Sequence, residues 1–408
     1  MRCGLLGRKL GHSYSPQIHS HLSNYSYQLF EKEPEEVKAF LLSNDYDALN
    51  VTIPYKKDVI AYLDELSPVA QKMGAVNTIV RDKCGKLIGH NTDYFGFLST
   101  IQKTGLSVSG KKVLVLGSGG AASTAIVVLK ELGADVIVIS RTGSDNYGNI
   151  ERHADASVII NATPVGMFPN NGESPVSLDF FPNLEGVIDM IYNPARTALL
   201  LEAERRGIVA ENGLWMLVAQ AKESAEWFTG STLSDSLIPL IHKKLQKQME
   251  NIVLVGMPGC GKSTVGKYLS DKTGKQFLDA DKEIERHAGE SIPEIFRKYG
   301  EDRFRQIESS VLCELGKRSG CIIATGGGCI TRTENYNHLH QNSTIIWLQR
   351  DLDALPTNGR PLSQKDKLRD MYALRSPLYA KFADYTVENN TTAQDAVDKI
   401  LRLYDREE

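Results

Sequence analysis

Two glycine-rich turns of different kinds divide this chain into halves with different chemistry, because each sits between a strand-like apolar run and a helix-like stretch. The first, Gly117-Ser-Gly-Gly-Ala-Ala122, follows Lys111-Lys-Val-Leu-Val-Leu116. The second, Gly256-Met-Pro-Gly-Cys-Gly-Lys-Ser-Thr264, follows Ile252-Val-Leu-Val255. A turn of this kind presents backbone N–H groups and the positive end of a helix dipole to a phosphate. The first spacing reads as a dinucleotide site and the second as a nucleoside-triphosphate site. Two cofactor chemistries in one polypeptide point to two fused enzymes.

The chain has 408 residues, enough for two or three domains. Its 41% hydrophobic and 24% charged content is that of an ordinary globular protein, and a net charge of −3 speaks against a nucleic-acid partner. No apolar run approaches the ~20 residues needed to cross a bilayer. The first residues enter a strand-like segment without a signal-peptide layout, which leads to the expectation of a cytoplasmic protein. The six cysteines form no Cys-x-x-Cys pair and read as isolated reduced thiols.

Apolar strand-like runs alternate with helical stretches throughout, which predicts an α/β architecture with largely parallel sheets. The main boundary falls where the polar helix end Ile241–Glu250 meets the strand at Ile252, giving domains of 1–248 and 249–408. The first divides again: 1–100 with 225–248 make one subdomain, with strands at Leu49–Ile53 and Asn77–Val80, and 101–224 make the dinucleotide fold.

In the first turn Gly117 permits a tight bend, Gly119 lets the backbone approach a pyrophosphate, and Ala122 allows close helix–strand packing. Ser118, Gly120 and Ala121 complete the cradle. The next strand, Val136–Ile139, ends in Ser140-Arg141-Thr142, where an NAD site usually carries an acid for the ribose hydroxyl. Arg141 can instead pair with a 2′-phosphate, so the expected cofactor is NADP(H).

Three polar clusters accompany this fold. Gly11-His-Ser13-Tyr-Ser15-Pro16 brings two hydroxyls, and Asn50-Val-Thr52-Ile-Pro54-Tyr-Lys56 brings an amide, a hydroxyl and a lysine. Asn77 and Asn91-Thr-Asp93 add amides and a carboxylate. Short polar residues at strand ends suit a small polyhydroxylated ligand. The order of these clusters, continued by Asn161-Ala-Thr-Pro-Val-Gly-Met167, Asp189-Met-Ile-Tyr192 and Asn212–Ala221, resembles shikimate dehydrogenase over about residues 1–245. That resemblance implies an α/β substrate domain plus an NADP-binding Rossmann domain. It implies that Ser13 and Ser15 bind the substrate carboxylate, and that Thr52, Asn77, Asp93 and Gln220 hold the ring hydroxyls with Tyr192 nearby. Lys56 and Asp93 become the catalytic pair. A lysine at a ketone supplies positive field and a proton to the forming alkoxide, and a carboxylate orients it.

The second turn is a full P-loop. Backbone N–H groups of Gly259, Cys260, Gly261 and Thr264 cradle phosphates, Lys262 reaches the β/γ oxygens and Ser263 can ligate Mg²⁺. Phe277-Leu-Asp279-Ala-Asp281 ends the next strand with two carboxylates at i, i+2, a spacing that predicts both on one side of the strand. Further along come Phe304-Arg305-Gln-Ile-Glu308, the strand and glycine run Ile322–Gly328, Gly359-Arg360 and Leu374-Arg375-Ser-Pro-Leu-Tyr379. In this order the set resembles shikimate kinase over about residues 249–408, a P-loop α/β domain using ATP with Mg²⁺. The resemblance implies Asp281 as base at the reacting hydroxyl, Asp279 supporting the metal, and Arg305, Arg375, Gly327 and Gly328 holding shikimate. Arg360 becomes a lid arginine. The run Gln349–Gly359 is more compact than the family's corresponding helix, so no residue is assigned to the adenine.

Three readings stand on this sequence. One is a bifunctional enzyme that reduces 3-dehydroshikimate and then phosphorylates shikimate. Another is an active dehydrogenase with a second half that only binds nucleotide or shikimate. The last is a quinate/shikimate dehydrogenase using NAD. The expected partners are small molecules, with no nucleic acid and no membrane.

Overall fold

The computed structural model describes residues 1–11, 13–355 and 365–405. The chain forms two compact units. The first comprises Met1–Gly166, Glu173–Tyr192 and Leu199–Leu245; the second comprises Gln246–Glu408 with the short segments Met167–Gly172 and Asn193–Ala198. Among the described residues no helix is long and apolar enough to cross a membrane.

The first unit holds two sheets. One is built from β1 (Arg2–Gly7), β2 (Ser26–Glu31), β3 (Ala48–Val51), β4 (Glu65–Leu66), β5 (Thr78–Arg81) and β6 (Leu87–His90), in the order β2-β1-β3-β5-β6-β4. Its pairings are mixed: β3 with β5 and β5 with β6 run antiparallel, the others parallel. The expectation of largely parallel pairing does not extend to β5, and for its pairing with β6 the reason is reach. A parallel crossover needs about a dozen residues, and β5 is joined to β6 by a tight turn. Asp82 Oδ1 accepts from the N–H groups of Cys84 and Lys86, each at 2.8 Å, and Gly85 takes φ of 85°.

The second sheet contains β7 (Lys112–Leu116), β8 (Asp135–Ile139), β9 (Val158–Asn161), β10 (Gly186–Asp189) and β11 (Val209–Glu211). It is wholly parallel, in the order β11-β10-β9-β7-β8. Because side chains alternate across a strand, β7 buries both faces. Val113 and Val115 pack with Ala122, Ala125, Val128 and Leu129 of the helix Gly120–Glu131. Leu114 and Leu116 meet Leu178, Phe181, Leu199 and Leu200 on the other side. Each such fully buried side chain contributes roughly 1.5–3 kcal/mol. The next strand in sequence, β8, lies on one flank of β7, and the one after, β9, lies on the other. The crevice at such a reversal of strand order is where open α/β sheets bind ligands.

In the second unit β12 (Asn251–Val255), β13 (Gln276–Asp279), β14 (Cys321–Ala324), β15 (Ser343–Gln349) and β16 (Tyr385–Glu388) form a parallel sheet ordered β13-β14-β12-β15-β16. The central β12 is buried along its whole length. The P-loop leaves its C-terminal end into the helix Lys262–Thr273.

Two helices of the first unit, Asp93–Thr104 and Leu214–Thr229, cross closely enough that Gly96 has no room for a side chain. A Cβ there would lie 2.8 Å from the Met216 carbonyl oxygen and 3.0 Å from Gln220 Cβ. Gly96→Ala is therefore expected to push the helices apart and to cost about 1–3 kcal/mol. Urea unfolding followed by a first-unit tryptophan, Trp215, checks this; an unchanged midpoint would show that the crossing has slack.

Candidate functional site

The first site is assembled from three strand ends and two helices. Lys56 follows the turn after β3, and its Nζ donates to Asp93 Oδ2 at 2.6 Å. Asp93 opens the helix that Gly96 seats, so its position depends on that crossing. Its other oxygen, Oδ1, accepts from Asn77 Nδ2 at 2.9 Å. Asn77 Oδ1 accepts from the backbone N–H of Thr92 at 2.8 Å, so an obligate donor and a carboxylate fix the direction of this amide. Thr92 Oγ1 lies 3.3 Å from Gln220 Oε1 on the facing helix.

The serine loop makes the other end. Ser13 Oγ accepts from the Ser15 backbone N–H at 3.2 Å, Ser15 is buried, and His19 at the end of the same short helix stacks on Tyr27. Tyr14 meets Tyr192 edge to face with ring centroids 6.1 Å apart, so Tyr192 joins this end; burial raises both phenols. Thr52 donates its backbone N–H to Leu6 at the end of β1, and a Cβ on Gly7 would come within 2.8 Å of Thr52 Cγ2.

At the dinucleotide turn Gly117 has φ of 108°, and a Cβ there would press on the Ala162 carbonyl and Thr163. Gly119 and Gly120 face open space, and Ser118 and Ala121 are exposed, whereas Ala122 is fully buried. The cradle is thus open to a pyrophosphate and closed behind it, which fits a dinucleotide. Ser140, Arg141 and Thr142 follow the last residue of β8, with Arg141 and Thr142 exposed, and Asp135 lies at the opposite end of that strand.

In the second unit the P-loop glycines Gly256, Gly259 and Gly261 have φ of 147°, 84° and 104°. Lys262 Nζ donates to the carbonyls of Gly256 at 2.8 Å and Met257 at 3.0 Å. Ser263 Oγ donates to Asp279 Oδ2 at 2.9 Å, placing a hydroxyl and a carboxylate together as hard oxygen donors suited to Mg²⁺. Thr264 is exposed one residue on. The two carboxylates do not share a strand side: β13 ends at Asp279, which caps the helix Ala280–Ala288 by accepting from the Asp281 N–H at 3.2 Å. Capping geometry overrides the strand alternation that the spacing implied.

The glycine run closes on the same place. A Cβ on Gly326 would lie 3.0 Å from Asp281 Oδ1, one on Gly327 would meet Pro258, and one on Gly328 would collide with the Arg305 guanidinium. Arg375 Nη1 donates to the Gly327 carbonyl at 3.0 Å, as does the Tyr379 hydroxyl at 2.5 Å. Arg360 and the Pro356–Gly359 run lie outside the described residues.

Two contributors were given no role from the sequence. Glu308 is fully buried, and its Oε2 accepts from Arg305 Nη1 at 2.7 Å. Burial pushes its carboxyl up, and the neighbouring guanidinium pulls against that. Its place three residues after Arg305 on one helix was the available clue. Asn389 had none: it comes from the end of β16, yet its Nδ2 donates to the Cys260 carbonyl at 2.8 Å and blocks any side chain on Gly261.

Comparison with known proteins follows this division. Residues 5–79 match the model of the shikimate dehydrogenase substrate binding domain, and residues 258–405 match that of shikimate kinase. An NADP(+) shikimate dehydrogenase of Caldicellulosiruptor saccharolyticus is 37% identical over 277 residues, covering 60% of this chain and 98% of the relative. A chorismate mutase/shikimate 5-dehydrogenase fusion protein from Clostridium acetobutylicum is 36% identical with a TM-score of 0.58, over 60% of this chain and 97% of that one. The shikimate 5-dehydrogenase of Thermus thermophilus, solved in complex with NADP(H) and shikimate, is 31% identical with a TM-score of 0.55, over 60% and 99%.

Asn389→Ala removes the side chain that holds the P-loop from behind. The lost hydrogen bond and the buried carbonyl left unsatisfied are expected to cost about 1–3 kcal/mol and to weaken Mg²⁺–ATP binding by roughly tenfold or more. Titration calorimetry with a non-hydrolysable ATP analogue checks this; unchanged affinity would show that the loop holds its shape unaided.

Proposed function

The chain belongs to the shikimate dehydrogenase family and carries a shikimate kinase domain, and on that premise we propose that it performs two consecutive steps. It reduces 3-dehydroshikimate to shikimate with NADPH, then phosphorylates shikimate to shikimate 3-phosphate with ATP. The observation that carries this reading is the presence of both sites in one polypeptide: the Lys56–Asp93 pair at 2.6 Å and a P-loop whose lysine is set in place. We assign the first activity to 1–248, with the substrate subdomain in 1–100 and 225–248 and the Rossmann subdomain in 101–224, and the second to 249–408.

Bound NADPH supplies a hydride, and bound ATP with Mg²⁺ supplies a phosphoryl group. The protein's part in the first step is positioning and proton delivery. Ser13 and Ser15 hold the ring carboxylate, and Thr52, Asn77, Asp93 and Gln220 hold the ring hydroxyls beside Tyr192. Lys56 Nζ gives its proton to the oxygen that becomes the alcohol, while Asp93 aims that ammonium group. Arg141 receives the 2′-phosphate. In the second step Arg305 and Arg375 hold the shikimate carboxylate against the backbone of Gly327 and Gly328. Asp281 takes the proton of the reacting hydroxyl, Lys262 neutralises phosphate charge, Ser263 and Asp279 hold the metal, and Arg360 closes over the phosphates.

The direct test is mass spectrometry of products after mixing the protein with 3-dehydroshikimate, NADPH, ATP and Mg²⁺. Shikimate 3-phosphate should appear, and should be absent when NADPH is withheld; shikimate accumulating without phosphorylation overturns the second assignment. Lys56→Ala is expected to lower reduction by about 10²–10⁴-fold and leave phosphorylation intact. Lys262→Ala should lower phosphorylation by roughly 10²–10³-fold and leave reduction intact. Loss of both activities in either folded variant would refute two independent sites. Arg141→Ala should raise the KM for NADPH by about 10–100-fold, the worth of a charge-assisted hydrogen bond, with the KM for NADH within twofold.

A further inference from the structure

Asn50 was singled out in the sequence because it opens the run that ends in Lys56, yet neither proposed step uses it. It is buried, and its amide lies between the two ends of the first site. Its Oδ1 accepts from the Tyr27 hydroxyl at 2.8 Å, and the Tyr27 ring stacks on His19 of the helix Ser15–His19 that follows Ser13. Its Nδ2 lies 3.3 Å from the Asn77 carbonyl, an obligate acceptor, so the amide can point only one way. The same nitrogen donates to Ser224 Oγ at 2.8 Å and approaches Thr78 Oγ1 at 3.2 Å.

Ser224, fully buried one turn beyond Gln220, lies 2.9 Å from the hydroxyls of both Thr78 and Thr92. Thr78 Oγ1 donates to Asn77 Oδ1 at 3.0 Å, and Asn77 Nδ2 bonds Thr92 at 3.1 Å and Asp93 at 2.9 Å. With Asn50 a donor, Ser224 must accept from it, which leaves its proton for Thr78 or Thr92. The chain of bonds therefore has a direction from Tyr27 through Asn50 and Ser224 to the amide that faces Asp93. Behind Tyr27 the ring of His19 stacks at 4.0 Å; burial lowers its pKa to about 3, so it stays neutral at physiological pH and adds no charge.

We propose that Asn50 is a positioning residue that sets the spacing between the carboxylate-binding serine loop and the Asn77–Asp93 end, acting through Tyr27 on one side and Ser224 on the other. A rigid ring carries its carboxylate and its reacting oxygen at a set separation. Holding both receptors from one buried amide makes that separation a property of the protein before substrate arrives, which is how preorganisation improves binding and orientation. The network touches neither hydride nor proton transfer. It acts through the helix Ser15–His19 and through Asn77.

This inference rests on the dehydrogenase reading, and a double-mutant cycle on the full-length protein separates the two. Tyr27→Phe removes the bond between Asn50 and the aromatic that stacks on the serine-loop helix, and Ser224→Ala removes the shortest of the bonds from Asn50 toward the Asn77–Asp93 end; neither residue is assigned to substrate. Steady-state reduction of 3-dehydroshikimate is measured for the wild type, both single variants and the double variant, with thermal melting to confirm folding. Each single change should raise the KM for the ring substrate about fivefold or more, with the KM for NADPH within twofold. In the double variant kcat/KM should depart from the product of the single effects by at least threefold in either direction, the mark of residues coupled through a shared partner. Asn50→Ala should equal or exceed the double variant. Multiplicative effects, or lowered melting temperatures with the substrate KM unchanged, would reduce the network to a structural role and overturn the proposal. Failure of the wild type to reduce 3-dehydroshikimate would instead overturn the functional reading itself.

Discussion

A polar group taken out of water must find a partner inside the protein or cost the fold several kcal/mol, and the first unit meets that demand in a way that also builds its site. Asn50, Asn77, Thr78, Thr92 and Ser224 are all buried, and they come from β3, β5, the turn before the helix Asp93–Thr104, and the helix Leu214–Thr229. Each finds a partner on another element. Their mutual bonds tie those elements together, and the groups left at the rim of the network, Asp93 and Gln220, are half-buried. Stability and orientation therefore share one set of hydrogen bonds. The fit is possible because Gly96 lets the two helices approach.

The two phosphate cradles meet a different constraint, the close approach of backbone to an anion. At the dinucleotide turn one glycine with positive φ makes the bend and the next two leave space in front of the helix. In the P-loop three glycines with positive φ wrap the chain into a ring of N–H groups, and Lys262 occupies its centre. The longer loop needs support from outside. It receives it from Asn389 behind Cys260 and from the packing of Pro258 against Gly327, which brings the glycine run against the P-loop.

The second unit concentrates charge where the first uses neutral hydroxyls and amides. Arg305 is held by Glu301 and Glu308, and Arg375 by the Gly327 carbonyl. An anionic ligand carries charge that must be offset, and fixed cations do this without reorganising. Burying Glu308 beside Arg305 costs desolvation, which pushes the carboxyl up while the guanidinium pulls against it.

Alternation of apolar runs and turns, read with the two glycine patterns, was enough to place both sheets of the α/β type and to locate β7, β8, β12 and β14. These signals are local: a strand between turn residues, or glycines where φ must be positive, needs no knowledge of distant contacts. The antiparallel β5–β6 pair was missed because strand direction depends on how short the connection proves to be. The side of Asp281 was misread because a helix cap began where strand alternation was assumed. Asn389, Gly96 and Ser224 left no pattern at all, since each matters only through a partner more than a hundred residues away. The sequence by itself determined which backbone segments could bind phosphate and which side chains were chemically able to serve. Only the tertiary structure decided which of them meet, because hydrogen bonds and close packing act between neighbours in space, and the chain's order does not record that neighbourhood.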